Sequence, residues 1–99
     1  MYHWVRTYSA KIGRMEELLQ LTREAIAHLE KAHQLKCVGY TKVGGNPMGI
    51  GLHGAYESLG ALGELESALA NDAAWAAILK KAEPLVAEGS LEDQFWNEI

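Results

Sequence analysis

The sequence predicts an α+β domain in which a four-stranded antiparallel sheet carries its helices on one face. Three observations indicate this: apolar residues alternate in some segments, they recur every three or four positions in others, and short stretches rich in Gly or polar residues separate the two kinds. The resulting order is β-α-β-β-α-β. Two helices cannot cover both faces of such a sheet, so we expect the split βαβ, ferredoxin-like arrangement in a single domain over residues 1–99.

The first segment, Tyr2 to Lys11, alternates and is rich in aromatic and β-branched residues, which is typical of a strand. Gly13 separates it from an amphipathic helix. The apolar stripe of that helix consists of Met15, Leu18, Leu19, Thr22, Ala25, Ile26, Leu29, Ala32 and His33. The solvent side is expected to carry Glu17, Glu24, His28 and Lys31.

The second and third strands are predicted over Leu35 to Val43 and Ile50 to Glu57, joined by the turn sequence "GGNPMG" as a hairpin. The stretch "GIGLHG" from Gly49 to Gly54 matches a GxGxxG pattern. A dinucleotide fingerprint must open a helix whose N-terminus receives the pyrophosphate, whereas these glycines enter a strand. We therefore interpret them as sites of a bulge or of close sheet packing.

The second helical region is predicted to be broken. Ser58 can cap its first half, and Asp72, after Asn71, can cap its second half. Pro84 should kink or end the second half. A last strand is expected over Leu91 to Ile99.

Composition restricts the classes of partner. Nine basic and thirteen acidic residues give a net charge of −4, which argues against nucleic acid. Cys37 is the single cysteine, so no intrachain disulfide is possible, and we expect it buried in a reducing compartment. No stretch approaches the roughly 18 apolar residues of a membrane span, and the N-terminus lacks a secretory layout. The expected location is the cytoplasm.

The sheet face without helices should carry aromatic residues from several strands, and such a patch is rarely left to water. Covering it with a second copy of the chain, through a two-fold axis, is the expected solution. The protein is therefore predicted to be a homodimer.

The stretch "VRTYSAKIG", Val5 to Gly13, resembles the opening of the NIPSNAP-like branch of the dimeric α/β-barrel proteins. The stretch "YESLGAL" and the broken helix around "NDAAW" resemble the same barrels. The resemblance implies a homodimer whose two sheets enclose a barrel. Related members include cofactor-independent monooxygenases of antibiotic biosynthesis and heme-degrading enzymes, so no cofactor is expected for a monooxygenase-like member.

The heme-degrading branch requires an Asn in the first strand and a Trp and a His on the second helical stretch. Anchored on Gly13, the Asn position falls at Arg6, and anchored on Asp72, the other two fall near Ala68 and Ile78. None matches, so heme degradation is disfavoured. The requirements of the monooxygenase branch are looser, and the sequence neither confirms nor excludes them.

Arg6 is the strongest candidate for a ligand-binding residue. If Trp4, Arg6 and Tyr8 face the barrel, the guanidinium lies in a partly dry cavity, where an unpaired charge is costly. It would bind either an anionic ligand or a carboxylate, and the available carboxylates are Glu57, Glu92 and Asp93. A strand phase shifted by one residue would instead expose it.

His53 lies between glycines in the third strand and is a candidate base, with Tyr8 as a second candidate for proton exchange. A hydrogen-bonded structural histidine is the alternative. The predicted ligand-binding walls are Trp4, Tyr40, Tyr56 and Trp96 beside Arg6, although aromatics at strand spacing also form dimer cores. The leading hypothesis is a monooxygenase-like pocket for a small anionic organic ligand, and the competing one is a non-catalytic binding or assembly module filled by its own side chains.

His28, Glu30 and His33 suggest metal ligands at first sight. A helix turns about 100° per residue, so positions five apart diverge by about 140° and no third ligand is indicated. We therefore predict no metal site here. Trp75 falls on an apolar stripe and is expected in the core.

Overall fold

The computed structural model describes residues 1–99 and contains four strands and three helices. None of these helices combines the length and apolar character needed to cross a membrane. In chain order the elements are β1 (Tyr2–Ser9), α1 (Met15–His33), β2 (Cys37–Thr41), β3 (Gly49–Tyr56), α2 (Leu59–Ala70), α3 (Ala73–Ala82) and β4 (Glu92–Asn97).

The strands form one antiparallel sheet in the order β2-β3-β1-β4, so the first strand occupies a central position. This confirms the ferredoxin-like α+β prediction. The register pairs Arg6 with Leu52 on one side and with Asp93 on the other. Because paired residues point to the same face, the register decides which side chains can meet.

Helix α1 covers the sheet with the stripe that its spacing predicts. Leu18, Ala25 and Leu29 are buried, and Leu29 is 1% exposed. The helix ends at His33, and the next residue, Gln34, adopts the left-handed conformation with φ of 54° and closes the last turn through its backbone N–H. His28, which we expected on the solvent side, is instead half-buried.

The second helical region is broken where the capping residues predict. The Ser58 hydroxyl accepts a hydrogen bond from the Ala61 N–H at 3.1 Å, and a carboxylate oxygen of Asp72 accepts one from the Trp75 N–H at 3.0 Å. Pro84 ends α3 rather than kinking it, because the helix stops at Ala82.

The two faces of the sheet differ in what covers them. The strand residues that are buried, including Trp4, Tyr8, Ile50 and Leu52, share the face that packs against the helices. We call the opposite face, which carries His3, Val5, Thr7, Val38, Tyr40, His53, Gln94 and Trp96, the open face.

Candidate functional site

Trp4, Arg6 and Tyr8 point toward the helices. Trp4 and Tyr8 are each 8% exposed, and the Tyr8 hydroxyl shares a 2.6 Å hydrogen bond with the hydroxyl of Thr22 on α1. The expectation that this row of side chains faces the barrel interior, on the side without helices, is therefore wrong. The candidate site lies between the sheet and the helices of one chain.

Arg6 and Asp93 form a two-pronged ion pair across neighbouring strands. Arg6 Nε donates to Asp93 Oδ1 at 2.7 Å and one Nη donates to Oδ2 at 2.9 Å. Trp4 Nε1 donates to the same Oδ1 at 3.1 Å, and the guanidinium carbon lies 5.2 Å from the centre of the Trp4 ring. Of the three carboxylates considered from the sequence, Asp93 is the partner, and Glu57 and Glu92 are not.

This ion pair is partly shielded from water. The side chains of Arg6 and Asp93 are 22% and 28% exposed. The hydrogen bond from Arg6 is the main reason why the pKa of Asp93 is lower than the usual value for an aspartate. Asp93 therefore stays ionised, and the pair is electrically neutral as a unit.

Two small cavities adjoin Arg6 within the cleft between helices and sheet. Their volumes are about 60 Å³ and about 90 Å³, and Arg6 and Trp75 border both. The first is almost entirely apolar and lies among Tyr8, Leu18, Leu21, Ile78 and Val86. The second lies among Trp4, Tyr56, Leu65, Glu66 and Phe95. The cleft thus offers apolar walls around the guanidinium of Arg6, whose charge is balanced by Asp93.

The second Nη group of Arg6 has no hydrogen-bond partner in the protein, since Asp93 engages only Nε and the other Nη. Every buried side-chain nitrogen or oxygen of the chain has a partner, so this free group is one that solvent can reach. It can donate to an oxygen of a bound molecule without breaking the ion pair.

Two tyrosines of the cleft keep their protons at neutral pH. Burial is the largest cause that raises the pKa of Tyr8, and burial raises the pKa of Tyr56 to about 12. Both can therefore donate a hydrogen bond but cannot serve as a general base in the ionised form. Tyr8 remains a candidate site residue as a neutral phenol.

His53 lies on the open face, across the sheet from Arg6. Its Nε2 is 2.7 Å from Nδ1 of His3, whose Nε2 is 2.6 Å from Oε1 of Glu98. The two imidazole rings stack with their centres 5.0 Å apart. His53 and Arg6 therefore share no cavity within one chain, because the period-two alternation sends their side chains to opposite faces.

The predicted aromatic wall residues divide between the same two faces. Trp4 and Tyr56 line the cleft. Tyr40 and Trp96 lie on the open face, and each is 56% exposed. No single pocket of this chain contains all of them.

A third cluster joins α1 to the junction of α2 and α3. Asp72 Oδ2 lies 2.6 Å from Nε2 of His28 and 2.7 Å from Nε2 of His33. The divergence of positions 28 and 33 along the helix does not keep their imidazoles apart, because both reach the same carboxylate oxygen of Asp72, a residue from another element. Asp72 was recognisable from the sequence only as a helix cap. Trp75 is buried, as expected, and its ring stacks on His28 at 6.4 Å.

Comparison with known proteins is consistent with this architecture. The family model described as NIPSNAP matches residues 2–95. An uncharacterised NIPSNAP domain protein from Burkholderia xenovorans superposes with a TM-score of 0.84 at 20% identity, over 100% of this chain and 95% of that one. A NIPSNAP family protein from Agrobacterium tumefaciens gives 0.82 at 25% identity, over 99% and 92%.

Structures described as monooxygenases show the same fold. A candidate antibiotic biosynthesis monooxygenase from Deinococcus radiodurans gives a TM-score of 0.78 at 16% identity, over 100% of this chain and 93% of that one. At this identity the likeness concerns the fold. No curated protein matches the chain.

Proposed function

The chain belongs to the NIPSNAP family, and from this premise we propose that it is a small homodimer that binds a small anionic organic molecule in the cleft between its helices and its sheet. The observation that supports the proposal is the Arg6 guanidinium, which borders two apolar cavities and keeps one Nη group free. An aromatic ligand with an ionisable hydroxyl suits this setting, since its ring would occupy the apolar space and its oxygen would accept from Arg6.

The dimer part of the proposal concerns the open face. Val38, Tyr40 and Trp96 are 43%, 56% and 56% exposed there, and no helix of the chain covers them. Pairing this face with a second copy would bury an apolar surface that water otherwise contacts. Light scattering is expected to give a mass near twice 10.9 kDa. Replacing Trp96 by Glu should produce monomers, whereas a monomeric wild type would contradict the dimer.

The chemistry that we propose for a bound phenol is oxidation by O₂ without a cofactor, as a monooxygenase-like member would perform. The phenol loses its proton to solvent, and Arg6 stabilises the phenolate. The phenolate transfers one electron to O₂, and the radical and superoxide join through a new C–O bond at the ring carbon opposite the hydroxyl. The resulting peroxide anion takes up a proton from solvent and becomes a hydroperoxide. Loss of water from this hydroperoxide leaves a quinone. One oxygen atom enters the product and the other becomes water, so no external reductant is consumed.

The site can be tested with 1-naphthol as a probe. It should raise the melting temperature of the protein, because a ligand that binds only the folded form stabilises it. 1-Methoxynaphthalene, which has no proton to lose and so cannot become an anion, should give a smaller shift. Arg6→Lys keeps a cation beside Asp93 but loses the planar fork, so it should remove the difference between the two probes. Equal shifts in wild type and Arg6→Lys would contradict a role for Arg6.

Turnover is measured separately, by O₂ uptake and by the absorbance of 1,4-naphthoquinone. If the protein is an enzyme, O₂ uptake should be faster than in the absence of protein. One O₂ should then be consumed for each quinone formed. Binding of 1-naphthol with no uptake above that background would reject the oxidation and leave the binding proposal standing.

A second candidate function is a non-catalytic assembly module, and one observation favours it. Asp93 already engages the fork of Arg6, and the adjoining cavities are small, so the cleft is largely filled by its own side chains. In that case neither probe changes the melting temperature, while Trp96→Glu still changes the oligomeric state.

A further inference from the structure

The cluster of His28, His33 and Asp72 has the composition and convergence of a metal site. The three ligating atoms, one from each residue, all lie within 4.8 Å of one another. Two imidazoles and one carboxylate form a ligand set that divalent first-row metals favour. Two of the residues come from α1 and the third from the junction between α2 and α3, so the arrangement depends on the tertiary fold.

The cluster is also shielded and oriented. The side chains of His28, His33 and Asp72 are 21%, 12% and 14% exposed. The second carboxylate oxygen of Asp72 accepts the Trp75 N–H at 3.0 Å, which fixes the carboxylate while Oδ2 faces the imidazoles. Trp75 packs against one face of the His28 ring. In metal sites, neighbouring groups that do not touch the metal commonly hold its ligands in place in this manner, as the Trp75 N–H and ring do here.

From this convergence we propose that His28, His33 and Asp72 bind a divalent transition metal ion such as Zn²⁺. In tetrahedral coordination at about 2.0–2.1 Å, ligand atoms lie about 3.3 Å apart. The present distances of 2.6 and 2.7 Å from Asp72 to the two imidazoles must therefore lengthen by a fraction of an ångström. The two Nε2 atoms, which lie within 4.8 Å of each other, must also come to that separation, with Nε2 of each imidazole unprotonated, and water completes the coordination.

The test uses tag-free protein and two metal probes. Titration with Co²⁺ should give d–d absorption that saturates at one equivalent, and Zn²⁺ should displace it. Asp72→Asn is the sharpest variant, because asparagine caps a helix as well as aspartate does but lacks the anionic ligand. It and His33→Ala should each weaken binding at least about 100-fold. Far-UV circular dichroism checks that both variants fold. If His33→Ala does not fold, the result for Asp72→Asn alone decides the proposal.

His53→Gln is the matched control, since it removes a histidine of the other cluster and leaves this one intact. It should bind Co²⁺ as the wild type does. The proposal is overturned if the wild type shows no saturable binding, if Asp72→Asn and His33→Ala bind as tightly as the wild type, or if His53→Gln abolishes binding. Because the readout is metal binding alone, failure here is independent of whether the cleft binds an organic anion.

Discussion

The ion pair between Arg6 and Asp93 should be a major local contributor to stability, and Asp93→Asn tests this. The substitution keeps the shape of the side chain and an oxygen that can accept from Trp4 Nε1. It removes the negative charge and directs an amide N–H₂ group toward one arm of the guanidinium. Arg6 would then lie in the cleft with an unneutralised charge, at 22% exposure.

The expected cost follows from the shielding of the pair. Breaking a fully buried pair costs about 3–5 kcal/mol and an exposed one about 0.2–1 kcal/mol, so we expect about 2 kcal/mol for this pair, which is about three-quarters buried. In a domain of this size about 2 kcal/mol lowers the melting temperature by roughly 10 °C. Glu57→Gln is the control, because Glu57 is exposed and takes part in no ion pair. It should change the free energy of unfolding by less than about 0.5 kcal/mol.

The assay is urea denaturation followed by tryptophan fluorescence, at equal protein concentrations because association adds to stability. Its pH dependence has a definite sign. The pKa of Asp93 is lowered in the folded protein, so its stabilisation is present above the ordinary value of 3.8 and is lost as the pH falls through the lower folded value. The wild type and Asp93→Asn should differ fully near pH 6 and converge in acid. Equal stability near pH 6, or a difference that persists in acid, would refute the reasoning.

Three further predictions concern the frame around the cleft, each measured by the same unfolding assay. Ser58→Ala should cost about 1 kcal/mol through loss of the helix cap, and Ser58→Asp should restore it. Leu29→Ala should cost about 2–5 kcal/mol because the side chain is 1% exposed, whereas Leu59→Ala, at 60% exposure, should be nearly neutral. Gly39→Ala places a Cβ 2.9 Å from Cδ1 of Ile26 and should cost about 1 kcal/mol, which Ile26→Val should recover by removing that methyl group.

The sequence was sufficient for the order of elements and for the N-terminal caps of α2 and α3. The helical spacing of α1, the hydroxyl of Ser58, the carboxylate of Asp72 and the proline at 84 are local signals, and each acts on its own backbone neighbourhood. Signals of this kind act over a few neighbouring residues, so they depend little on contacts with distant parts of the chain. They were therefore confirmed, within a few residues at the strand ends.

The face to which Arg6 points could not be predicted from alternation. A period of two separates Trp4, Arg6 and Tyr8 from the residues between them but does not say which set meets the helices. The register between β1 and β4 places Asp93 directly beside Arg6, so the guanidinium is neutralised on the face that meets the helices. That register forms between segments more than eighty residues apart, so the alternation within either segment cannot select Asp93 from the three carboxylates that the sequence offers.

Trp75 connects the two candidate sites, and this connection explains why the broken helix matters. Its backbone N–H is capped by Asp72, its ring stacks on His28, and its side chain borders both cavities beside Arg6. The break after α2 thus places Trp75 both at the wall of the cleft and beside the cluster of His28, His33 and Asp72. A continuous helix would give up the cap at Asp72 and turn the Trp75 ring away from at least one of these contacts, since successive helical residues rotate by about 100°. Trp75 therefore contacts the cluster that holds Asp72 and also forms part of the wall that a bound molecule would touch.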